Sequence, residues 1–289
     1  MPLHHIPDDQ RRAYCKAAIE TLELWLRVVI DQELREPFGP DYLQAKRADG
    51  SYVINSRIRR GLTERSAAEP GRYSRLIDAA VLEDAIEIVC NPELFQAHFK
   101  RPLAQAFPNG REEARTFLNR LVTPRNKLSH ANAISVREAE QVICYSRDAI
   151  ESLKAFYTEK NMGKEFNTPT VVKLTDSFGR TTHAGEFRRN QTGSAVLPLS
   201  ETALRPGDTL VLEVEVDSSF PPDSYDVQWV FPYQRIPPTG NRLVLKIENR
   251  HVNPCFVFFC LVTSKLDWHR LGEHDDSVAI QYKVLPPVG

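Results

Sequence analysis

The sequence predicts a multidomain α plus β protein, in which an all-α helical bundle precedes an all-β immunoglobulin-like sandwich. Apolar residues recur every three to four positions in the first half of the 289-residue chain, which is the spacing of amphipathic helices. After Met162 and Gly163 they recur at every second position, as in half-buried strands. The 20 prolines and 13 glycines also indicate a portion rich in turns. We therefore expect a helical domain at residues 1–160, a linker at 161–167 and a β-sandwich domain at 168–289.

The first predicted helix begins at Asp8 and Asp9, which are favourable N-cap residues, and its apolar stripe continues to Leu34. It should stop before Pro37, because proline cannot continue a helix interior. A polar stretch rich in arginine follows at residues 45–72, and its glycines and its proline predict loops.

Helical spacing then resumes and continues to the end of the first half. Three further helices are expected, over residues 76–89 and 94–99 and from Arg111 onward. Pro124 should kink or end the last of these. The clearest helix start in the chain is Ser135, because Glu138 stands three residues later and completes a capping box. That helix should run to about Tyr157.

The second half contains short runs of alternating apolar residues separated by turn signals. Strands are expected at Val171–Leu174, Ala195–Leu199, Thr209–Val216, Asp226–Phe231, Leu243–Ile247, Phe256–Thr263 and Val278–Val284. This number of short strands is typical of an immunoglobulin-like sandwich. Trp229 on a middle strand and Cys260 on a late one suit that fold, although the earlier partner cysteine is absent and no disulfide is expected.

The distribution of charge limits where RNA could bind. Residues 1–164 hold 25 basic and 23 acidic residues, and the remainder hold 12 and 15, so neither part is broadly basic. A local excess of arginine occurs at Arg57, Arg59, Arg60, Arg65, Arg72 and Arg75. Such a cluster suits contact with a phosphate backbone, and it suits a solvated surface at least as well. The first three of these arginines are our candidate RNA-binding residues outside the main motif.

Other features exclude several classes of protein. The five cysteines are never spaced as C-x-x-C, which argues against a zinc site and against a secreted disulfide framework. Neither a glycine-rich nucleotide-binding motif nor a G-x-S-x-G motif occurs, so we expect no cofactor and no metal. The N-terminal residues lack an apolar signal segment, and the longest apolar run, Cys255–Val262, is too short to span a bilayer. We expect a cytoplasmic protein with no membrane partner.

One hexapeptide carries residue types that suit RNA cleavage without a metal. It begins with Arg125 and Asn126 and ends with His130. Histidine has an unperturbed pKa near neutrality, so it can accept and return the proton of a 2′-hydroxyl. The planar guanidinium of arginine can hold two phosphate oxygens and stays charged. In an unbroken helix, residues five apart lie about 140° apart around the axis, so convergence requires a helix break or the length of the arginine.

The surrounding sequence resembles the HEPN superfamily. The similarity is carried by residues 117–130, which contain the hexapeptide, and by 134–140, with weaker similarity at 22–43 and 82–95. It is closest to the bacterial subgroup related to the C-terminal domain of a fungal nuclear-surveillance endoribonuclease. The resemblance covers about residues 10–158 and implies an all-helical domain, commonly a homodimer whose two motifs line one cleft.

The same resemblance implies roles for individual residues. Arg125 would bind and stabilise the phosphorane, His130 would act as acid or base, and Asn126 would support both. Arg120, which precedes the motif, and Lys127, which lies within it, are expected to contact RNA. Many members of the superfamily cut host or phage RNA in toxin–antitoxin and antiviral defence systems.

We therefore predict a metal-independent endoribonuclease of a bacterial defence or toxin–antitoxin system, which leaves a 2′,3′-cyclic phosphate. The expected partners are RNA, a second copy of the chain, and a protein docked on the β-sandwich. The alternative is a non-catalytic RNA-binding or dimerising adaptor. Adhesion to carbohydrate through the sandwich is a weaker third reading, because signal and disulfide features are missing.

Overall fold

A computed structural model describes residues 3–70, 72–160, 167–190 and 193–287 of the chain. The chain divides into two compact units, Met1–Gly163 and Lys164–Gly289. The first is helical and the second consists of β-strands, so the predicted α plus β multidomain class is confirmed. Most of the predicted linker, residues 161–166, lies outside the described residues.

The longest helix of the first unit, α1, spans Asp8–Phe38. The N-cap is Pro7, and Asp8 and Asp9 lie in the first turn, where their charges favour the positive end of the helix dipole. The prediction that the helix stops before Pro37 is wrong. Pro37 lies in the last turn, where it removes a single helical hydrogen bond, and the N–H of Gly39 still bonds to Arg35 at 2.9 Å.

The remaining α-helices of this unit follow α1 along the chain. They are α2 (Ser56–Ala68), α3 (Leu82–Val89), α4 (Pro92–Leu94, continuing as a π-helical turn over Phe95–Phe99), α5 (Arg111–Asn119), α6 (Val122–Ser129) and α7 (Val136–Glu159). The expectation of loops throughout residues 45–72 is wrong, because α2 occupies much of that stretch. Asn55 caps α2, and Ile58 and Leu62 bury its inner face. This burial offsets the cost of about 1 kcal/mol expected for Gly61 within a helix.

The predicted effect of Pro124 also needs correction. The helix from Arg111 ends at Asn119, and α6 begins at Val122, so Pro124 is the third residue of a new helix. The first four N–H groups of a helix have no partner within it, so proline removes no hydrogen bond at this position. Pro124 therefore does not interrupt the helix that carries Arg125.

Helix α7 begins as the sequence predicts. The Ser135 hydroxyl accepts a hydrogen bond from the Glu138 N–H at 3.2 Å, and the Glu138 carboxylate accepts one from the Ser135 N–H at 2.8 Å. The capping box is therefore confirmed. Helix α7 packs against α1, with the rings of Trp25 and Tyr157 6.1 Å apart between centroids. Helix α1 also contacts the short helix α6, so α7 helps to fix the position of the helix against which α6 packs.

The second unit contains two sheets. Its strands are β1 (Val171–Asp176), β2 (Thr181–His183), β3 (Ala195–Val196), β4 (Ala203–Leu204), β5 (Thr209–Val216), β6 (Tyr225–Val230), β7 (Arg242–Lys246), β8 (Asn253–Ser264) and β9 (Asp276–Val284). One sheet has the order β2-β1-β5-β7, and the other has the order β3-β9-β8-β6 with β4 also paired to β9. Buried apolar residues of both sheets form one core, which makes this unit a β-sandwich.

Two predicted features meet at the centre of this core. Trp229 on β6 pairs with Cys260 on β8, and both residues are fully buried. The Trp229 indole N–H donates to the Gly240 carbonyl at 2.8 Å, and the Cys260 thiol is free. Burial raises the pKa of that thiol well above its ordinary value, so the cysteine acts as a small apolar residue.

The sequence analysis missed two strands and overextended one. The short strands β2 and β4 carry too few alternating apolar residues to stand out. The run predicted to continue to Leu199 ends as a strand at Val196, because Pro198 has no N–H to donate to the ladder. Both β3 and β4 pair in parallel with β9, and such pairing between distant segments has no local sequence signal.

A network of charged side chains closes one end of the β-unit. Asp276, the first residue of β9, is fully buried and accepts hydrogen bonds from Arg189 and Arg270. Its Oδ2 also accepts the N–H of Val171 on β1 at 2.8 Å. A single carboxylate therefore joins β1, β9 and the two loops that carry the arginines.

Candidate active site on helix α6

Arg125 lies in the second turn of α6 and faces α1. Its Nε donates to Oε1 of Glu23 at 3.2 Å. Glu23 is buried on α1, and its second oxygen accepts a hydrogen bond from Arg27 at 2.9 Å. The side chain of Arg125 is 23% exposed, and its Nη2 has no hydrogen-bond partner among the described residues. The guanidinium is thus held on one side and open on the other.

Asn126 extends this network along the surface. Its amide oxygen accepts a hydrogen bond from Nη1 of Arg125 at 3.2 Å, and its amide nitrogen donates to Oε1 of Glu83 at 3.1 Å. The asparagine therefore connects the arginine to the N-terminal turn of α3. Among the motif residues, its side chain bonds to Arg125.

His130 follows α6 as its C-cap residue and is exposed. The helix stays continuous from Arg125 to Ser129, and the break comes later, at Ala131, whose φ is +57°. Within the part of the chain that the structure describes, no hydrogen bond joins the imidazole to Arg125 or Asn126. The fold therefore brings the side chains of Arg125 and Asn126 together. The His130 backbone N–H donates to the Asn126 carbonyl at 3.2 Å, but in the described segments the His130 side chain forms no hydrogen bond with either residue.

A small pocket lies beside the Arg125 guanidinium. Its volume is about 80 Å³, which equals the share of two to three water molecules in the liquid. It is lined by Lys16, Ile19, Glu20, Glu23, Arg125, Leu128 and Ser129. Two cations and two carboxylates therefore border the space, so an incoming anion would compete with Glu23 for Arg125.

Arg120 and Lys127 have partners within the helical unit. Arg120 donates to the Tyr145 hydroxyl at 3.1 Å, and its guanidinium lies 5.0 Å from the centroid of the Phe117 ring. The Lys127 ammonium donates to Glu138 at 2.7 Å. Lys127 therefore links α6 to the capping box of α7.

The Lys127–Glu138 pair predicts a dependence of stability on pH. The hydrogen bond from Lys127, followed by the N–H of Ser135, holds the pKa of Glu138 below its ordinary value. A carboxyl whose pKa is lowered by folding stabilises the protein above its unfolded pKa, and this contribution is lost as pH falls through the folded pKa. Glu138→Gln should therefore lower the free energy of unfolding by up to about 1 kcal/mol at pH 7.

As the pH falls below the ordinary pKa of a glutamate and then through the lower pKa of folded Glu138, the two proteins should converge, because Glu138 becomes protonated first in the unfolded and then in the folded chain. Urea denaturation at several pH values measures this difference. Glu140→Gln is the matched control, because Glu140 is an exposed carboxylate two residues along the same helix. A difference between the wild type and Glu138→Gln that stays constant down to pH 3 would contradict the linkage.

The arginines near residue 60 lie on α2 and line a different pocket from Arg125. Arg57 pairs with Glu87 and lies 3.5 Å from Asp84, and Arg60 lies 3.6 Å from Glu64. The other members of the predicted cluster are paired as Arg65–Asp84, Arg72–Glu69 and Arg75–Asp78. Intramolecular carboxylates therefore compensate most of this arginine excess, whereas none of the carboxylates that the structure describes pairs with Arg59.

Sequence reasoning missed the residues that hold the motif, Glu23 and Glu83. Each is separated from its partner by at least 40 residues, so no local spacing connects them to α6. One signal was present for Glu23. It lies between Leu22 and Leu26 on the apolar face of α1, where a carboxylate needs a buried partner.

Two further features of the described residues bear on the site. No group of three histidine, cysteine or acidic side chains in the described segments is arranged to hold a metal ion. None of the helices in those segments combines the length and the apolar character needed to cross a membrane.

Comparison with known proteins places the chain in no family. No protein-family model matches it, and no curated protein matches it. Among solved structures, it is similar to the extracellular domain of a protein assigned to a hybrid two component system of B. thetaiotaomicron, with 16% identity and a TM-score of 0.24. That similarity covers 41% of this chain and 15% of the other, so the chain spans a small part of that protein. A score this low supports no conclusion about fold or function.

Proposed function

We propose that the chain is a metal-independent endoribonuclease that acts in the cytoplasm as part of a bacterial defence or toxin–antitoxin system. The observation that carries the proposal is the set of contacts that the Arg125 guanidinium makes. Its guanidinium is oriented by Glu23 and Asn126 and borders a small pocket, and one of its nitrogens has no hydrogen-bond partner within the described residues. A pre-oriented cation of this kind suits a site where negative charge develops on phosphorus. The biological setting rests on the resemblance to HEPN proteins alone.

In the proposed reaction the 2′-oxygen of a ribose attacks the adjacent phosphorus. His130 accepts the 2′-hydroxyl proton, and Arg125 stabilises the charge of the phosphorane. The bond from phosphorus to the 5′-oxygen then breaks, and that oxygen takes the proton that His130 accepted. The products are a 2′,3′-cyclic phosphate and a 5′-hydroxyl, so the atoms balance without water or metal.

In this proposal a second protomer supplies the histidine that completes the active site. His130 stands five positions after Arg125, which corresponds to about 140° around an ideal helix, and it is exposed. In this proposal one copy therefore does not hold both groups on a single phosphate. A homodimer that brings two α6 helices together could combine Arg125 of one protomer with His130 of the other. The dimer is therefore part of the proposed mechanism.

The test uses the purified full chain, RNA oligonucleotides and a chelator such as EDTA. We expect cleavage products with 2′,3′-cyclic phosphate ends, which mass spectrometry of the fragments identifies. RNA with a 2′-O-methyl group at the cut site, and DNA of the same sequence, should resist cleavage because the nucleophile is blocked or absent. Efficient cleavage of the DNA would refute the mechanism.

A second function is favoured by one specific contact. The buried carboxylate of Glu23 pairs with Arg125 as well as with Arg27, which is the arrangement expected of a structural ion-pair network. The chain would then be a non-catalytic RNA-binding or dimerising adaptor. A stable dimer in analytical ultracentrifugation, combined with no RNA cleavage under any condition, would select this alternative.

A further inference from the structure

A second pocket lies on the helical unit, against the first two turns of α2. Its volume is about 480 Å³, which falls within the range of about 300–1,000 Å³ typical of small-molecule sites. It is lined by Gln44, Ser56, Arg57, Arg59, Arg60, Thr63 and Glu64. Three guanidinium groups and a single carboxylate therefore border the pocket, which makes it a cationic site.

Arg59 is the fixed cation of this pocket, and its partners are neutral. Its Nε donates to the Ile54 carbonyl at 3.2 Å, and its Nη1 donates to the Gln44 side chain at 2.9 Å. The guanidinium also covers the Tyr52 ring at 3.4 Å from the centroid. None of the described carboxylates forms an ion pair with Arg59, so its charge is oriented and uncompensated.

The two other arginines differ in how freely they can reach a ligand. Arg60 is 75% exposed, and its contact with the equally solvated Glu64 is a long 3.6 Å. Such exposed pairs contribute little to stability, so Arg60 can turn towards a ligand at small cost. Arg57 pairs with Glu87 and lies near the buried Asp84, which makes it the least available of the three. Arg59 and Arg60 are therefore the principal binding groups.

We propose that this pocket binds the terminal phosphate of a nucleotide. A phosphate monoester carries a charge of about −1.5 to −2 and three acceptor oxygens, which matches two guanidinium groups better than the single charge of a carboxylate does. The hydroxyls of Ser56 and Thr63 can donate further hydrogen bonds. A free mononucleotide and the 5′-end of an RNA present the same group. The site does not depend on the proposed cleavage.

Calorimetric titration of the full chain tests the proposal with matched ligands. Adenosine 5′-monophosphate is compared with adenosine, and a 5′-phosphorylated RNA trinucleotide is compared with its 5′-hydroxyl form. The trinucleotides carry 2′-O-methyl groups, so any cleavage activity has no effect on the result. We expect binding of one or both phosphorylated ligands and at least tenfold weaker binding of the matched forms without phosphate.

Variants connect this binding to the pocket. Arg60→Ala removes a solvated side chain without disturbing the fold and should weaken binding at least tenfold, whereas Arg60→Lys should restore part of it. Arg59→Gln should weaken binding as well, and Glu64→Gln should strengthen it by removing the opposing charge. Arg147→Ala, which removes an exposed arginine on α7, is the control and should bind as the wild type does.

The result also identifies the source of the phosphate. Binding of the monophosphate indicates a free nucleotide, and binding of the phosphorylated trinucleotide alone indicates an RNA end. The proposal is overturned if neither phosphorylated ligand binds, or if ligands with and without phosphate bind equally. It is also overturned if Arg60→Ala and Arg59→Gln both bind as tightly as the wild type.

Discussion

Replacing His130 with alanine should lower the rate of RNA cleavage by about 10²–10⁴-fold, which is the usual contribution of a general acid or base. The imidazole is exposed and has no described hydrogen-bond partner in its own protomer, so its removal should leave the fold intact. Single-turnover cleavage of a labelled RNA in chelator measures the effect. Thermal unfolding of the same preparation should match the wild type within about 0.5 kcal/mol.

Arg125→Ala is the companion variant and should lower the cleavage rate by about 10²–10³-fold, as loss of a charge-stabilising donor does. It should also destabilise the helical unit by roughly 1–2 kcal/mol, because Glu23 loses one of its two arginine partners. Its activity is therefore measured well below its own unfolding temperature. His130→Ala should lower the cleavage rate without changing the stability, whereas Arg125→Ala should lower both. Comparing the two variants therefore distinguishes an effect on catalysis from an effect on folding.

The controls for these two variants come from exposed residues of the same type. The control variants are His183→Ala and Arg147→Ala. His183 lies on β2 and Arg147 lies on α7, and both side chains are exposed. Both proteins should cleave RNA at the wild-type rate. If the two motif variants cut as fast as these controls, α6 is not the active site.

Asp276→Ala should cause the largest loss of stability, about 3–5 kcal/mol, because it leaves two guanidinium groups at the buried end of the sandwich without their shared carboxylate. The Val171 N–H loses its acceptor as well. A loss of this size is a large fraction of the total stability of a domain, which is about 5–15 kcal/mol. Urea denaturation monitored by tryptophan fluorescence measures it, since Trp229 is buried in the same core.

Asp226→Ala is the matched control for this stability prediction. Asp226 lies on β6 with its side chain exposed, and its replacement should change the free energy of unfolding by less than about 0.5 kcal/mol. Equal midpoints for Asp276→Ala and Asp226→Ala would show that the buried network contributes nothing. RNA cleavage by Asp276→Ala should remain normal at low temperature, because no residue of α6 is altered.

The amino-acid sequence by itself determined the class of the protein, the capping box at Ser135 and the main strands. These features depend on residues close together in the chain. A serine and a glutamate three positions apart complete a capping box wherever they occur, and alternation of apolar residues defines the two faces of a strand. The candidate motif from Arg125 to His130 was also predicted from the sequence, because the residue types that its chemistry needs lie close together in the chain.

Only the tertiary structure decided what surrounds those residues. Glu23 and Glu83 reach α6 from more than 40 residues away, and Asp276 meets Val171 from the other end of the β-unit. These contacts depend on how helices and strands pack, and packing is set by the whole core and not by local spacing. The same packing decided that α2 is a helix on which Arg59 forms no ion pair with any described carboxylate. The tertiary structure also decided how far apart the side chains of Arg125 and His130 lie. Because α6 is unbroken between them, two groups that are close in the sequence are separated in space.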